Sequence, residues 1–195
     1  MSHAAAFGAQ PRVLADTVPD TRARDIALVV AGALLTALCA QLSFYLPGDP
    51  VPVTGQTFAV LLTGAALGAN RGAAAQGLYV VLGAIGLPFY ADGESGVDVI
   101  WGATGGYLIG FIVAAYVVGR LAERHYDRNA FRALPTFAIG SLIVFAFGVP
   151  WLAVALDISP AKALDLGFVP FIPGGIVKAL AASALLPTAW RLVRR

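Results

Sequence analysis

Apolar runs broken by short polar stretches dominate the chain from residue 26 onward. Six of them approach or reach the roughly 20 residues that a membrane-spanning helix needs: 26–46, 51–69, 72–90, 101–119, 135–156 and 170–190. This pattern predicts an all-α integral membrane protein with six transmembrane helices. The short connections leave little chain for any soluble domain. Residues 1–24 lack the apolar core of a cleaved signal and are expected to form a disordered cytoplasmic tail ahead of a membrane domain at 25–195.

Two of the spans are interrupted in an informative way. From Thr57 to Ala69 a helix would cover only about 20 Å at 1.5 Å per residue. The preceding "PVPVTGQT" must then reach membrane depth as non-helical chain, which is tolerated only inside protein or along a cavity. Thr54, Gln56 and Thr57 would supply donors and acceptors there, or else decorate a surface loop. At 103–107, "ATGGY" opens the fourth span with two glycines beside Tyr107. Gly105 and Gly106 would let a ligand approach the backbone or let helices pack closely. Tyr107 and Trp101 would otherwise belong to an interfacial aromatic belt.

Composition agrees with the pattern. Hydrophobic residues make up 58% and charged residues 12%, about half the charge of an ordinary soluble domain, and mean hydropathy is +0.78. The formal net charge of +2 is too small to suggest nucleic acid. Its distribution says more. Arg12, Arg22, Arg24, Arg71, Arg120, Arg124, Arg128, Arg132, Arg191, Arg194 and Arg195 all fall on one side if the chain crosses six times. Asp49, Asp92, Glu94, Asp98, Asp157, Asp165 and Lys162 fall on the other. The positive-inside rule then makes both termini cytoplasmic.

The remaining basic residue is Lys178, within "FIPGGIVKALAASALLPTAW". A cation in hydrocarbon costs roughly 2.5–3.5 kcal/mol on insertion scales and usually faces a cavity. Near a helix end a lysine can instead snorkel to the interface. Lys178 lies about 7 Å inward from Pro173, in the outer half of the membrane. Free amides at the start of that helix add partial positive charge, and Gly175 allows close approach. Together they make a site for an anion, a carboxylate being the simplest. The loop before helix 2, the glycine turn before helix 4 and Lys178 all converge on the outer face. One outward-opening pocket for a small polar solute explains all three.

Enzyme readings find no support. "GESG" at 93–96 fits the GxSG of rhomboid-like intramembrane proteases, which needs a histidine base within reach. The histidines are His3, in the tail, and His125, in a basic loop. "HExxH" is absent, no pair of aspartates lies within the spans, and no "GxxxxGK[ST]" phosphate loop occurs. Cys39 is the single cysteine, so neither disulfide, metal site nor redox pair is indicated. No cofactor is called for.

The segments "PVPVTGQTFAVLLTGAALGANRGAAAQGLYVVLGAIGLPFYA", "GATGGYLIGF" and "PFIPGGIVKA" resemble the BioY family of biotin transporters. These are the S components, or substrate-binding subunits, of energy-coupling factor (ECF) transporters. The likeness runs from about Ala27 to Arg191. It implies a six-helix protein of a prokaryotic cytoplasmic membrane that captures biotin from outside with high affinity. Its ligand contacts would fall on Lys178, on Thr54, Gln56 and Thr57, and on Gly105, Gly106 and Tyr107. Many members carry an aspartate in a "PGD-x-x-K" pattern where this chain has Gly175, so the acid's role passes to water, to another residue, or is absent. The implied partners are a transmembrane coupling subunit and a pair of cytoplasmic ATPases. Small residues four apart on helix 1 (Ala23, Ala27 and Ala31; Ala33 and Ala37) would dock the coupling subunit or pack within the fold. An S component for another vitamin, or an intramembrane enzyme, is the alternative.

Overall fold

A computed structural model describes residues 12–19 and 21–193. A 3₁₀ turn (Leu14–Thr17) precedes α1 (Arg22–Ala40) and a two-stranded ladder of β1 (Ser43–Phe44) and β2 (Val53–Thr54). Then come α2 (Gln56–Leu67), α3 (Ala69–Ala84), α4 (Val97–Trp101), α5 (Gly105–Ala122), α6 (Ala130–Ala155), α7 (Pro160–Gly167) and α8 (Ile172–Val193). The protein is all-helical apart from that short ladder. Four helical stretches are long and apolar enough to cross a bilayer: Arg22–Ala40, Gly105–Ala122, Ala130–Ala155 and Pro160–Val193, the last combining α7 and α8.

Local chemistry accounts for the boundaries. Thr21, Asn129 and Ser159 cap α1, α6 and α7 by accepting backbone N–H bonds from Arg24, Phe131 and Lys162; such caps satisfy donors left over at a helix start. Gly68, at φ +85°, is the single residue between α2 and α3. Only glycine adopts that conformation without strain, so the two helices turn back on each other at once. Large apolar side chains point outward along the long helices, as in Leu38 (68% exposed) and Val154 (83% exposed). In water that arrangement would be unfavourable; against lipid it is expected.

Two expectations from the sequence need correction. Helix 1 stops at Ala40, not residue 46, because the chain turns into β1, where Ser43 pairs with Thr54 and Phe44 with Val53 in antiparallel register. The tail is not disordered throughout. Val13 (1% exposed) and Ala15 are buried among Leu61, Leu67, Ala179 and Leu186, because two apolar side chains find a ready surface there. Residues 1–11 lie outside the described residues.

Buried side chains form two clusters. One contains Tyr79, Tyr90, Tyr107, Phe111, Val144 and Phe171. It gathers parts of α1, α2, α3, α5 and α6, together with β2 and the turn Val169–Phe171 ahead of α8. The other contains Leu61, Leu67, Val118, Phe137 and Leu186 at the opposite end of the bundle. Candidate ligand chemistry is confined to the first.

Candidate ligand-binding pocket

The first cluster encloses a pocket of about 590 Å³ of empty space, its open mouth included. Lys178, Thr54, Gln56, Thr57 and Tyr107 all line it. Thus α8, the ladder, α2 and α5 each bring one of the sequence-predicted groups to the same cavity. Val51 and Pro52 also line it, so the irregular chain before α2 is buried in protein and faces a cavity, as backbone lacking a helical partner must.

Lys178 lies nearly two turns into α8, half-buried, and among the described residues it has no hydrogen-bond or ion-pair partner. An unneutralised ammonium in such a place is costly, and this one lines the pocket. The threonine–glutamine corner is ordered. Thr54 Oγ1 donates to Gln56 Oε1 at 2.7 Å and accepts from the Gln56 backbone N–H at 3.3 Å. Gln56 Nε2 donates to the Tyr79 hydroxyl. Polar side chains enclosed like these must be hydrogen-bonded, and they are held before any ligand arrives.

Tyr107 contributes its ring more than its hydroxyl. Its O–H donates to the Gly167 carbonyl at 2.8 Å, tying α5 to the end of α7. Its ring stacks on Phe171 (6.4 Å between centroids, 30°) and meets Phe145 edge-on. The wall is therefore aromatic and apolar, opposite a polar corner. This is the usual composition of a small-molecule site.

Gly105, Gly106 and Gly175 are not brought into the pocket lining. A Cβ on Gly105 would meet the Ile100 carbonyl at 1.7 Å. One on Gly106 would meet Trp151 Cβ at 2.2 Å and the Phe147 carbonyl at 2.6 Å. Both glycines let α5 press against α4 and α6, which places Tyr107. Gly175 has open space around it: a Cβ there would find nothing within 4 Å.

Sequence reasoning missed several lining residues. Phe111, Val144, Phe145 and Phe171 carry no signal in a chain so rich in apolar residues. Glu94 is the one acid in the lining; in the sequence it reads only as an outer-loop charge. Among the described residues no group of three or more His, Cys, Asp or Glu could hold a metal.

The helix 1 alanines divide. Ala23, Ala27 and Ala31 are exposed, but Ala33 (0% exposed) and Ala37 are buried within the fold. Neighbouring Gly32 shows how tightly: a Cβ there would lie 2.6 Å from Thr63 and 2.9 Å from Ala75. Ala33 and Ala37 are thus unavailable to any partner subunit.

The fold and the site define a helical membrane protein with a pocket built between helix starts and an irregular loop. The comparisons agree. The fold matches the crystal structure of the S-component for biotin from an ECF-type ABC transporter, with a TM-score of 0.77 and 25% identity over 91% of this chain and 96% of that one. The BioY family model matches residues 10–195. Biotin transporter BioY of Thermotoga maritima is 39% identical over 160 residues, 82% of this chain and 87% of the relative. Biotin transporter BioY of Rhizobium etli is 34% identical over 170 residues, 83% and 90% respectively. The chain belongs to the BioY family. It is a multi-pass membrane protein and not an enzyme.

Proposed function

We propose that this chain is the biotin-binding subunit of a biotin uptake system, with Lys178 as the anchor for the ligand's carboxylate. The observation that carries the assignment is the unpartnered ammonium of Lys178 in a pocket that also holds the ordered Thr54–Gln56 pair and the rings of Tyr107, Phe145 and Phe171. Biotin combines an apolar valeryl chain and thiolane ring with a charged carboxylate and a ureido group of donors and acceptors. The anion pairs with Lys178, supported by the amides opening α8. The rings lie against Tyr107, Phe145 and Phe171, with Thr54, Gln56 and Thr57 at the polar edge.

In this reading the chain crosses a prokaryotic cytoplasmic membrane six times, with both termini inside and the pocket opening outward. Arginine distribution supports that orientation. The β1–β2 ladder and the chain between its strands close over bound biotin. Energy comes from a transmembrane coupling subunit and an ATPase pair. The coupling subunit docks on the exposed small residues Ala27 and Ala31 of α1, and the loaded subunit then reorients to release biotin inside.

The test is equilibrium biotin binding to the purified full-length chain in detergent, alongside Lys178→Met and with biotin amide as competitor. Tight binding, a large loss in the variant and poor competition by the amide are expected. Strong binding that survives Lys178→Met would overturn the anchor. A folded wild type that does not bind biotin would overturn the ligand.

A further inference from the structure

We infer that Tyr79, which does not line the pocket, is a positioning residue that sets the ligand-binding side chain of Gln56. The inference rests on the biotin-site reading, because it concerns how that same site is held ready.

Gln56 is a buried residue facing the pocket, and an amide has two hydrogens and two lone pairs to satisfy. One lone pair of Oε1 takes the Thr54 hydroxyl proton at 2.7 Å. One hydrogen of Nε2 goes to the Tyr79 hydroxyl. The other hydrogen and lone pair remain for a ligand. Fixed at both ends, the amide plane cannot rotate without breaking a bond in a buried place, and that bond is expensive to leave unmade.

Tyr79 can serve as such a fixed point because it is itself immobilised. It is fully buried (0% exposed) on α3. Its ring packs edge-on against Tyr90, with centroids 5.8 Å apart and planes at 78°. Tyr90 in turn donates its hydroxyl to the Val80 carbonyl at 2.7 Å, and its backbone carbonyl accepts from Gln41 Nε2 at 3.1 Å. Gly83 makes the seat for that ring, since a Cβ there would fall 2.3 Å from it. Tyr90 lines the pocket too. A continuous set of contacts, Thr54–Gln56–Tyr79–Tyr90, therefore runs behind the pocket from one wall to another. Tyr79 is the member that a ligand never touches. Preorganisation of this kind raises affinity by removing the cost of ordering side chains on binding.

The experiment is a double-mutant cycle on the full-length protein, with biotin affinity measured for wild type, Tyr79→Phe, Gln56→Ala and the double variant. It is joined by the side-chain amide resonances of glutamine-¹⁵N-labelled protein without ligand. Tyr79→Phe keeps the ring and loses only the hydroxyl. We expect it to weaken biotin binding about three- to tenfold, the scale of one hydrogen bond, but to have less than a twofold effect on top of Gln56→Ala. The Gln56 amide resonance should shift in ligand-free Tyr79→Phe. Equal losses in both backgrounds would mean that Tyr79 acts through general packing, and no loss in either would mean that it does not act at all; each overturns the inference. If wild type does not bind biotin, the functional reading fails separately. The resonance then decides alone: a shift upholds the link, and an unmoved peak refutes it.

Discussion

The two ends of the bundle treat charge in opposite ways. At the arginine-rich end, several cations are tied into the protein. Arg71 bridges Asp16 at 2.6 Å and Asp25 at 3.0 Å, and Asp25 also holds Arg24. Glu123 pairs with Arg120 and accepts the Ala69 N–H that opens α3. Trp190 Nε1 donates to buried Asp127 at 2.6 Å, with the Arg128 guanidinium 4.2 Å above the same ring. These contacts join the starts of α1, α3 and α6 to the ends of α5 and α8, and they clamp the 3₁₀ turn as well. At the pocket end the one intramembrane cation, Lys178, has no such partner among the described residues. A charge satisfied by its own protein holds helices together, whereas one left unsatisfied is available to a ligand.

Four changes would break or sharpen that contrast. Lys178→Met should have the largest effect, weakening biotin binding by roughly a hundredfold or more, as losing one partner of an enclosed charge pair does. The unfolding midpoint of the ligand-free protein should not fall. A drop in stability together with intact binding would make Lys178 a structural residue like the arginines. Next, Gly106→Ala should destabilise the fold by about 1–3 kcal/mol, because its Cβ would meet Trp151 and a backbone carbonyl. Thermal unfolding in detergent reads this directly. An unchanged midpoint would show that α5 and α6 can separate at that contact.

Arg71→Met should lower the midpoint by roughly 2–4 °C and leave biotin affinity within twofold of wild type. A large affinity loss would mean that the two ends are coupled and not separate. Gly175→Ala, placed in open space, is the smallest: stability within about 0.5 kcal/mol of wild type and affinity within threefold. A strong loss of affinity would show that ligand reaches the first turn of α8 after all.

Much of the pocket's polar side was legible in the sequence. Lys178, Thr54, Gln56 and Thr57 stand out because each is a polar residue within or beside a span, where desolvation demands a reason. A glycine that admits a ligand and one that admits a neighbouring helix look alike in sequence, so both readings stood open there. The structure shows Gly105 and Gly106 pressed against α4 and α6. The alanines of α1 posed the same problem. Ala31 and Ala33 are two residues apart in one run, and only the packing of α1 against α2 and α3 makes the first exposed and the second buried. Phe145 and Phe171 could not be picked out among eleven phenylalanines in the chain.

What the sequence determined by itself was the solvent, the helical character, the family and the presence of a stranded cation. The cost of placing a charge or an unpaired peptide group in hydrocarbon belongs to each segment singly, so it can be read one segment at a time. Only the tertiary structure decided that Lys178 shares a pocket with Thr54 and Gln56, that the Tyr107 hydroxyl is taken by Gly167, and that Tyr79 stands behind Gln56. Those facts concern residues far apart in the chain: 60 positions for Tyr107 and Gly167, and 122 for Gln56 and Lys178. Such pairs are selected by the directions and distances of packed helices, which no single segment contains.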